Sequence, residues 1–252
     1  MKIIKSFIAC FSTYSRVPMP HVSLDSDDMK YALIFFPFIG AVIGLFEALL
    51  FIGCRYINVP VFVRTLIAAI IPVVITGGIH IDGFMDVMDA MNSYGDRQKK
   101  LEIMKDPHTG AFAVIYLGVY ALCYMAFLYL INEKSIIPFC ISFVASRVMS
   151  GISVVTINSA KDSGMLHSVK MSSEKKNVLG ALIIIGIFDF GVIAHYSVYS
   201  AVAFLIICVG GYLIYKRKCI REFGGITGDT SGYYLCIMEL LLLVASSIGG
   251  YL

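Results

Sequence analysis

Apolar positions fall into blocks about as long as a bilayer is thick, separated by short polar segments. A spanning helix needs about 20 mostly apolar residues. Seven stretches qualify: 31–54, 61–79, 111–131, 136–157, 178–194, 197–215 and 232–252. The fifth is short, and its border with the sixth at His195-Tyr196 is weakly marked, so this pair reads either as a hairpin or as one bent pair. Residues 1–17 carry a different pattern. Ile3, Ile4, Phe7, Ile8, Phe11 and Tyr14 recur at helical spacing, Lys2, Lys5, Ser12, Thr13 and Arg16 occupy the rest of the wheel, and Pro18 and Pro20 end the run. This predicts an amphipathic helix within residues 1–20 that lies in the membrane interface. Against a signal peptide, Lys5 interrupts the apolar run and no small-x-small cleavage site follows.

Composition narrows the picture. Of 252 residues, 58% are hydrophobic and 15% charged, whereas a soluble domain carries about 25% charged residues. Disorder, a coiled coil and an ordinary soluble fold are excluded. The net charge of +3 is too small to make a polyanion the main partner, so no nucleic acid is expected. The seven Cys stand singly with no CxxC or Cys/His spacing, which predicts buried free thiols rather than a zinc site or disulfides. The expected fold is all-α: one polytopic membrane domain over 1–252, a bundle of about seven transmembrane helices plus the N-terminal interfacial helix.

Charge then sets the orientation. Of 20 Lys and Arg, sixteen fall before the first span or in the segments 80–110, 158–177 and 216–231. The alternate connections hold only Arg55, Arg64 and Lys134, and Arg147 lies within a span. The alternation is clean with seven spans. By the positive-inside rule, the N-terminus and those three loops are expected on the cytoplasmic face of a prokaryotic plasma (inner) membrane.

Two of these loops carry the chemistry. In GGIHIDGFMDVMDAMNSYGDRQKKLEIMKDPHTGAF, Asp82, Asp86 and Asp89 sit at i, i+4 and i+7, which places three carboxylates on one helical face. The residues between them include Phe84, Met85, Val87 and Met88 rather than compensating cations. An acidic stripe on an apolar helix at a membrane surface is costly without a ligand. Hard oxygen donors of this kind suit Mg²⁺, which binds one or two carboxylates together with waters and substrate phosphates. His80 reads either as a general base or as a hydrogen-bonded interface residue, and Asp96 as a helix cap or a further member of the cluster. Lys105, Asp106, His108, Thr109 and Gly110 form a polar knot before the third span. There Lys105 can meet a phosphate as a point charge, and Gly110 lets backbone approach a ligand.

The second loop, REFGGITGDTSGYY, places Thr227, Gly228, Asp229 and Thr230 where the last span opens. Backbone N–H groups at a helix start suit phosphate oxygens, and Asp229 can complete a metal shell; a plain capped turn is the alternative. NSAKDSGML offers Lys161 as a contact. Within the spans, Arg147 requires an acid, Glu47 or Glu239, and Asp189 is read as close enough to a span end to snorkel.

These motifs, in this order, resemble the cobalamin synthase family, the adenosylcobinamide-GDP ribazoletransferases. FSTYSRVPMP is similar to that family's opening, and GGIHIDGFMDVMDA to its acidic signature. EIMKDPHTGAF and GGITGDTSG resemble its two later stretches, with Glu239 where the family also tends to have an acid. Ala90 stands in place of the usual Gly, Pro107-His108 in place of Ser-Arg, and AKDSGML keeps little of the corresponding segment.

The resemblance implies a phosphoryl transfer in which the 5′-hydroxyl of α-ribazole, or its 5′-phosphorylated form, displaces GMP from adenosylcobinamide-GDP. Mg²⁺ on Asp82, Asp86, Asp89 and Asp229 would meet the diphosphate, with His80 or one aspartate taking the proton. Lys105, Asp106, His108, Gly110, Arg147, Lys161, Thr227, Gly228, Thr230 and Glu239 would face substrate. Implied partners are both substrates and the lipid bilayer, with other enzymes of the pathway or a second copy of the chain as protein partners. Two alternatives stay open. A CDP-alcohol phosphotransferase or an aromatic prenyltransferase also uses spaced aspartates, although the spacing here departs from both patterns. A transporter fits seven spans, but no internal repeat is present.

Overall fold

The computed structural model describes residues 2–161 and 164–252. Eleven α-helices follow one another among them: α1 (Lys2–Tyr14), α2 (Ala32–Tyr56), α3 (Val61–Thr76), α4 (Ile79–Asn92), α5 (Arg97–Ile103), α6 (Ala111–Tyr129), α7 (Ile136–Thr156), α8 (Met165–Ser172), α9 (Lys175–Tyr196), α10 (Val198–Phe223) and α11 (Gly228–Gly249). A 3₁₀ turn, Ser26–Tyr31, leads into α2. The described residues contain no β-strand, only an isolated bridge between Ser159 and Ile226.

Six helices are long and apolar enough to cross a membrane: α2 with its preceding turn, α6, α7, α9, α10 and α11. The seventh crossing is α3, whose 16 residues rise about 24 Å at 1.5 Å each. Its chain then turns by 94° into α4. Gly77 and Gly78 make that turn at φ 65° and 78°, a left-handed conformation that costs glycine nothing. The Arg16 side chain covers Gly77 so closely that a Cβ there would lie 2.5 Å from Nε. The Arg16 amide donates to the Ile75 carbonyl at 2.7 Å. Thus α4, set across the direction of α3, is not a span.

The crossings alternate between two ends of the bundle. At one end Arg55 pairs with Glu133 at 2.7 Å, Arg64 donates to the Ile131 carbonyl and Tyr251 to the Leu130 carbonyl. The other end gathers α4, α5, α8, the 158–161 segment and the α10–α11 turn, and with them the sixteen cations. Seven crossings with a one-sided charge distribution match the sequence expectation, and α9 and α10 are separate helices that break at Ser197.

Several boundaries and placements differ. The expected loop 216–231 is helical to Phe223 and again from Gly228, and 80–110 is mostly α4 and α5. The apolar face of α1 is largely covered by protein: Ile8 and Phe11 are buried, Phe7 packs edge-on to Phe35 and Tyr14 against Phe36. Only Ile3 and Ile4 remain exposed. Asp189 does not snorkel; it is buried among α7, α9 and α10 residues.

The most extensive helix packing joins α2 to α7 and α4 to α11. The first is a glycine contact. A Cβ at Gly40 would lie 2.2 Å from the Phe143 carbonyl oxygen, and one at Gly44 2.3 Å from that of Cys140. Gly44→Ala should therefore destabilise the detergent-solubilised protein by about 1–3 kcal/mol through overpacking. Gly118→Ala, on α6 with nothing within 4 Å of the added methyl, should leave the thermal midpoint unchanged or slightly raised.

Candidate active site

The α4–α11 contact builds the site. A Cβ on Gly83 would lie 2.8 Å from the Asp229 carbonyl oxygen, and one on Gly232 3.0 Å from that of His80. Backbone therefore lies against backbone, and the α4 aspartates come beside the start of α11. The carboxyl of Asp86 records the crowding. Burial, and then the charges of Asp82, Asp229 and Asp89, push it up to about 6. Asp89 projects over Gly110, where a Cβ would fall 2.0 Å from Oδ1. Gly110 thus makes room for a carboxylate of the cluster at the N-cap of α6, a favourable end of the helix dipole for an anion.

Thr227 caps α11 and completes a reciprocal capping box with Thr230. Because those two residues satisfy the helix start, Asp229 is released from capping and faces the cavity. Among the described residues its side-chain partner is the Thr227 hydroxyl, which donates to it at 3.4 Å. The Ser159–Ile226 bridge brings up the third segment: the Ile226 amide donates to the Asn158 carbonyl and the Ala160 amide to the Ile226 carbonyl, both at 2.9 Å. Gly225 has no room for a side chain against this strap. Lys161 is thereby set on the wall of a 320 Å³ cavity shared with His80, Asp82, Thr227, Gly228 and Asp229.

His80 separates this cavity from a second, of about 130 Å³, that reaches into the bundle and is lined by Thr76, Tyr120, Tyr124, Arg147 and Glu239. Burial, then the Arg147 charge, push the His80 imidazole down to about 3, so it is neutral at neutral pH. Its Nε2 has no hydrogen-bond partner among the described residues. Arg147 is fully buried and pairs with Glu239, also donating to the Phe143 carbonyl at 3.2 Å and to Ser146 Oγ at 3.1 Å. Of the two acids expected for it, Glu239 is the partner; Glu47 Oε1 finds none among the described residues.

Other expected site residues lie elsewhere. Asp96 caps α5, accepting from the Lys99 amide at 2.9 Å. Lys105, Asp106 and His108 sit on the exposed turn between α5 and α6, and none lines the 320 Å³ cavity. The His108 amide and imidazole hold Asp106 below the usual carboxylate range. Asp162 and Ser163 of the AKDSGML segment lie outside the described residues. Several cavity residues went unread as site residues in the sequence, among them Tyr14, Ser159 and His167. Tyr14 falls within the FSTYSR motif, which was a signal, whereas nothing in the local sequence marks His167.

As placed, no three His, Cys, Asp or Glu side chains among the described residues close on a common point. The donor set nonetheless fits a hard divalent cation: carboxylates from two helices act on one another's charge, and one or two of them suffice when waters and phosphates fill the shell.

Residues 6–247 match the cobalamin-5-phosphate synthase family. The chain belongs to that family. It is 38% identical over 245 residues to the adenosylcobinamide-GDP ribazoletransferase of Lachnoclostridium phytofermentans, an alignment covering 96% of this chain and 92% of that protein. It is 30% identical to the same-named protein of Clostridium botulinum, over 98% of both chains. Against that of Pseudomonas savastanoi pv. phaseolicola it is 30% identical, over 88% of this chain and 90% of the relative. No solved structure matches. The family assignment makes the chain a transferase of cobalamin biosynthesis, built on membrane-spanning helices.

The Arg147–Glu239 pair should be strongly coupled. Arg147→Met or Glu239→Leu alone strands a buried charge and should cost about 3–5 kcal/mol, while the double variant recovers most of that loss. Unfolding in detergent measures all three against the wild type.

Proposed function

We propose that the chain joins adenosylcobinamide-GDP to α-ribazole, or to α-ribazole 5′-phosphate, and releases GMP, with Mg²⁺ held by Asp82, Asp86, Asp89 and Asp229. The observation that carries this reading is that Asp82 from α4 and Asp229 from α11 line one cavity with Lys161 and the start of α11, while Asp86 lies within the field of Asp82, Asp229 and Asp89. A diphosphate ester fits those features together. Carboxylates bind its cation, and Lys161 with the first backbone N–H groups of α11 receives phosphate oxygens.

The new bond runs from an acceptor hydroxyl to the phosphorus that bears the cobinamide, and the bond to the GMP oxygen breaks. A 5-phosphate in the family's product keeps the 5′ position occupied. The attacking group shared by both acceptors is therefore a hydroxyl on the ribose ring, which replaces the 5′-hydroxyl expected from sequence. When bound, Mg²⁺ supplies charge neutralisation to the diphosphate and to the leaving GMP. The neutral His80 imidazole, or one of the aspartates, takes the hydroxyl proton. Positioning and electrostatics dominate such transfers, which suits a site assembled from rigid helix ends. The cation-rich end is assigned to the cytoplasm of a prokaryotic plasma membrane, where nucleotide substrate is available. Cysteine labelling from outside should reach 132–135 and not 90–105 or 165–176; the reverse pattern would invert the topology.

The direct test incubates detergent-purified protein with adenosylcobinamide-GDP, either ribazole form and Mg²⁺, and follows GMP and the corrinoid product by mass. Absence of product with both acceptors, together with turnover of a CDP-alcohol, would replace the assignment. Asp82→Asn or Asp86→Asn should lower kcat by about a hundredfold or more, while Asp189→Asn, buried far along α9, should leave it unchanged. Because Asp86 sits at about 6, it holds a proton below that pH and must lose it to bind a cation. Apparent Mg²⁺ affinity should thus be level above pH 7 and fall about tenfold per unit below pH 6. A flat profile from pH 5 to 8 would remove Asp86 from the shell.

A further inference from the structure

The 320 Å³ cavity is of small-ligand size, for which roughly 300–1,000 Å³ is typical, and its lining is two-sided. Asp82, Asp229, Lys161 and Gly228 make a polar side suited to a metal and phosphates. The remaining walls are apolar and aromatic: Leu33 and Phe36 from α2, Val154 from α7, Ile226, Leu166 and Tyr14. The Tyr14, Phe36 and His80 rings follow one another at centroid spacings of 5.0 and 5.9 Å, a surface on which a flat ring system packs well.

Most polar side chains in these walls are already committed. Ser159 Oγ donates to the Lys161 carbonyl at 2.7 Å, Ser231 Oγ to the Thr227 carbonyl at 2.9 Å, and Thr227 caps α11. His167 differs. It lines the cavity, and its Nδ1 is buried with no hydrogen-bond partner among the described residues. A buried ring nitrogen in that state is costly unless a ligand meets it.

We propose that this cavity seats the heterocyclic base of the acceptor nucleoside, and that His167 hydrogen-bonds the base's free ring nitrogen and so helps select which base is used. The proposal rests on the ribazole-transfer reading above and assigns a part of that site which the reading leaves open. Chemistry distinguishes the candidates for these walls. Guanine carries several donors and acceptors along its edges, and Leu33, Phe36, Val154 and Leu166 would strand them. A corrin ring far exceeds the volume. The benzimidazole of α-ribazole is flat and alkylated, and its glycosidic bond leaves one ring nitrogen with a lone pair. That one acceptor meets His167 Nδ1 in the tautomer that carries its proton there, while His80 Nε2, the other unpartnered ring nitrogen of these walls, is left for the proton transfer. With the base there, the ribose lies toward Asp82 and Asp229, so its ring hydroxyl faces the metal side.

The test compares two acceptors under saturating adenosylcobinamide-GDP and Mg²⁺: α-ribazole, and its isostere in which CH replaces the free ring nitrogen (a dimethylindole riboside). Wild type should favour α-ribazole in kcat/KM by about tenfold, the worth of one hydrogen bond. His167→Ala should lose that preference by slowing α-ribazole alone, with the indole riboside and the KM for adenosylcobinamide-GDP unchanged. His167→Gln, which keeps a donor, should retain part of it. Leu166→Trp, which fills the apolar side, should raise KM for both ribosides and spare the corrinoid. Equal use of both acceptors by wild type would overturn the proposal, as would a full preference in His167→Ala, or a His167→Ala defect in KM for adenosylcobinamide-GDP. Failure to release GMP with any acceptor would instead overturn the underlying functional reading, so the two failures are distinguishable.

Discussion

The cation-rich end of this protein is organised by how closely α4 lies on α11. Gly83 and Gly232 remove the side chains that would hold the helices apart, and the resulting contact forces the α4 aspartates and Asp229 into one another's field. Like charges at such range repel, and burial adds to the cost, as the raised Asp86 carboxyl records. A fold does not retain this arrangement for its own stability. The same crowding is what the proposed divalent cation, and through it a diphosphate, would relieve. The bend that delivers α4 follows the same logic: two left-handed glycines turn the chain, and Arg16 locks the turn from above.

Beneath this site the bundle carries a second electrostatic commitment. Arg147 is buried in the membrane interior, where an unpaired guanidinium would be expensive, and Glu239 from α11 neutralises it. The pair joins α7 to α11 directly below His80, so the helix that presents Asp229 is anchored by charge as well as by packing. The N-terminal helix serves the same end of the molecule. By packing Phe7 and Tyr14 onto α2 it brings Tyr14 to the cavity wall and Arg16 to the bend. A helix with this apolar face reads as a membrane-surface anchor in sequence, whereas here much of the face is spent on protein contacts.

Much of this was legible before any coordinates. Bilayer-length apolar blocks and a one-sided cation distribution marked seven crossings, because lipid imposes length and the positive-inside rule imposes parity. The i, i+4, i+7 aspartates marked one helical face, and Arg147 announced a buried acid. What escaped depended on contacts between distant segments. The Ser159–Ile226 bridge that places Lys161 has no periodic signature, and His167 gains meaning only from a cavity whose walls come from distant parts of the chain, from α1 to α11. The polar knot at Lys105, Asp106 and His108 reads in sequence as facing substrate, as does the GGITGDTSG turn. In the fold Gly110 of that knot lies against Asp89, whereas Lys105, Asp106 and His108 are on the exposed turn after α5.

The proposed chemistry requires one cation shared by α4 and α11. The most direct measurement is Mn²⁺ binding, as a spectroscopic substitute for Mg²⁺, to detergent-purified protein followed by electron paramagnetic resonance. Wild type should bind the ion tightly enough to broaden its free signal, and Asp86→Asn and Asp229→Asn should each weaken that binding about tenfold or more. If Asp229→Asn bound Mn²⁺ as the wild type does, Asp229 would be no ligand and the two-helix site would be contradicted.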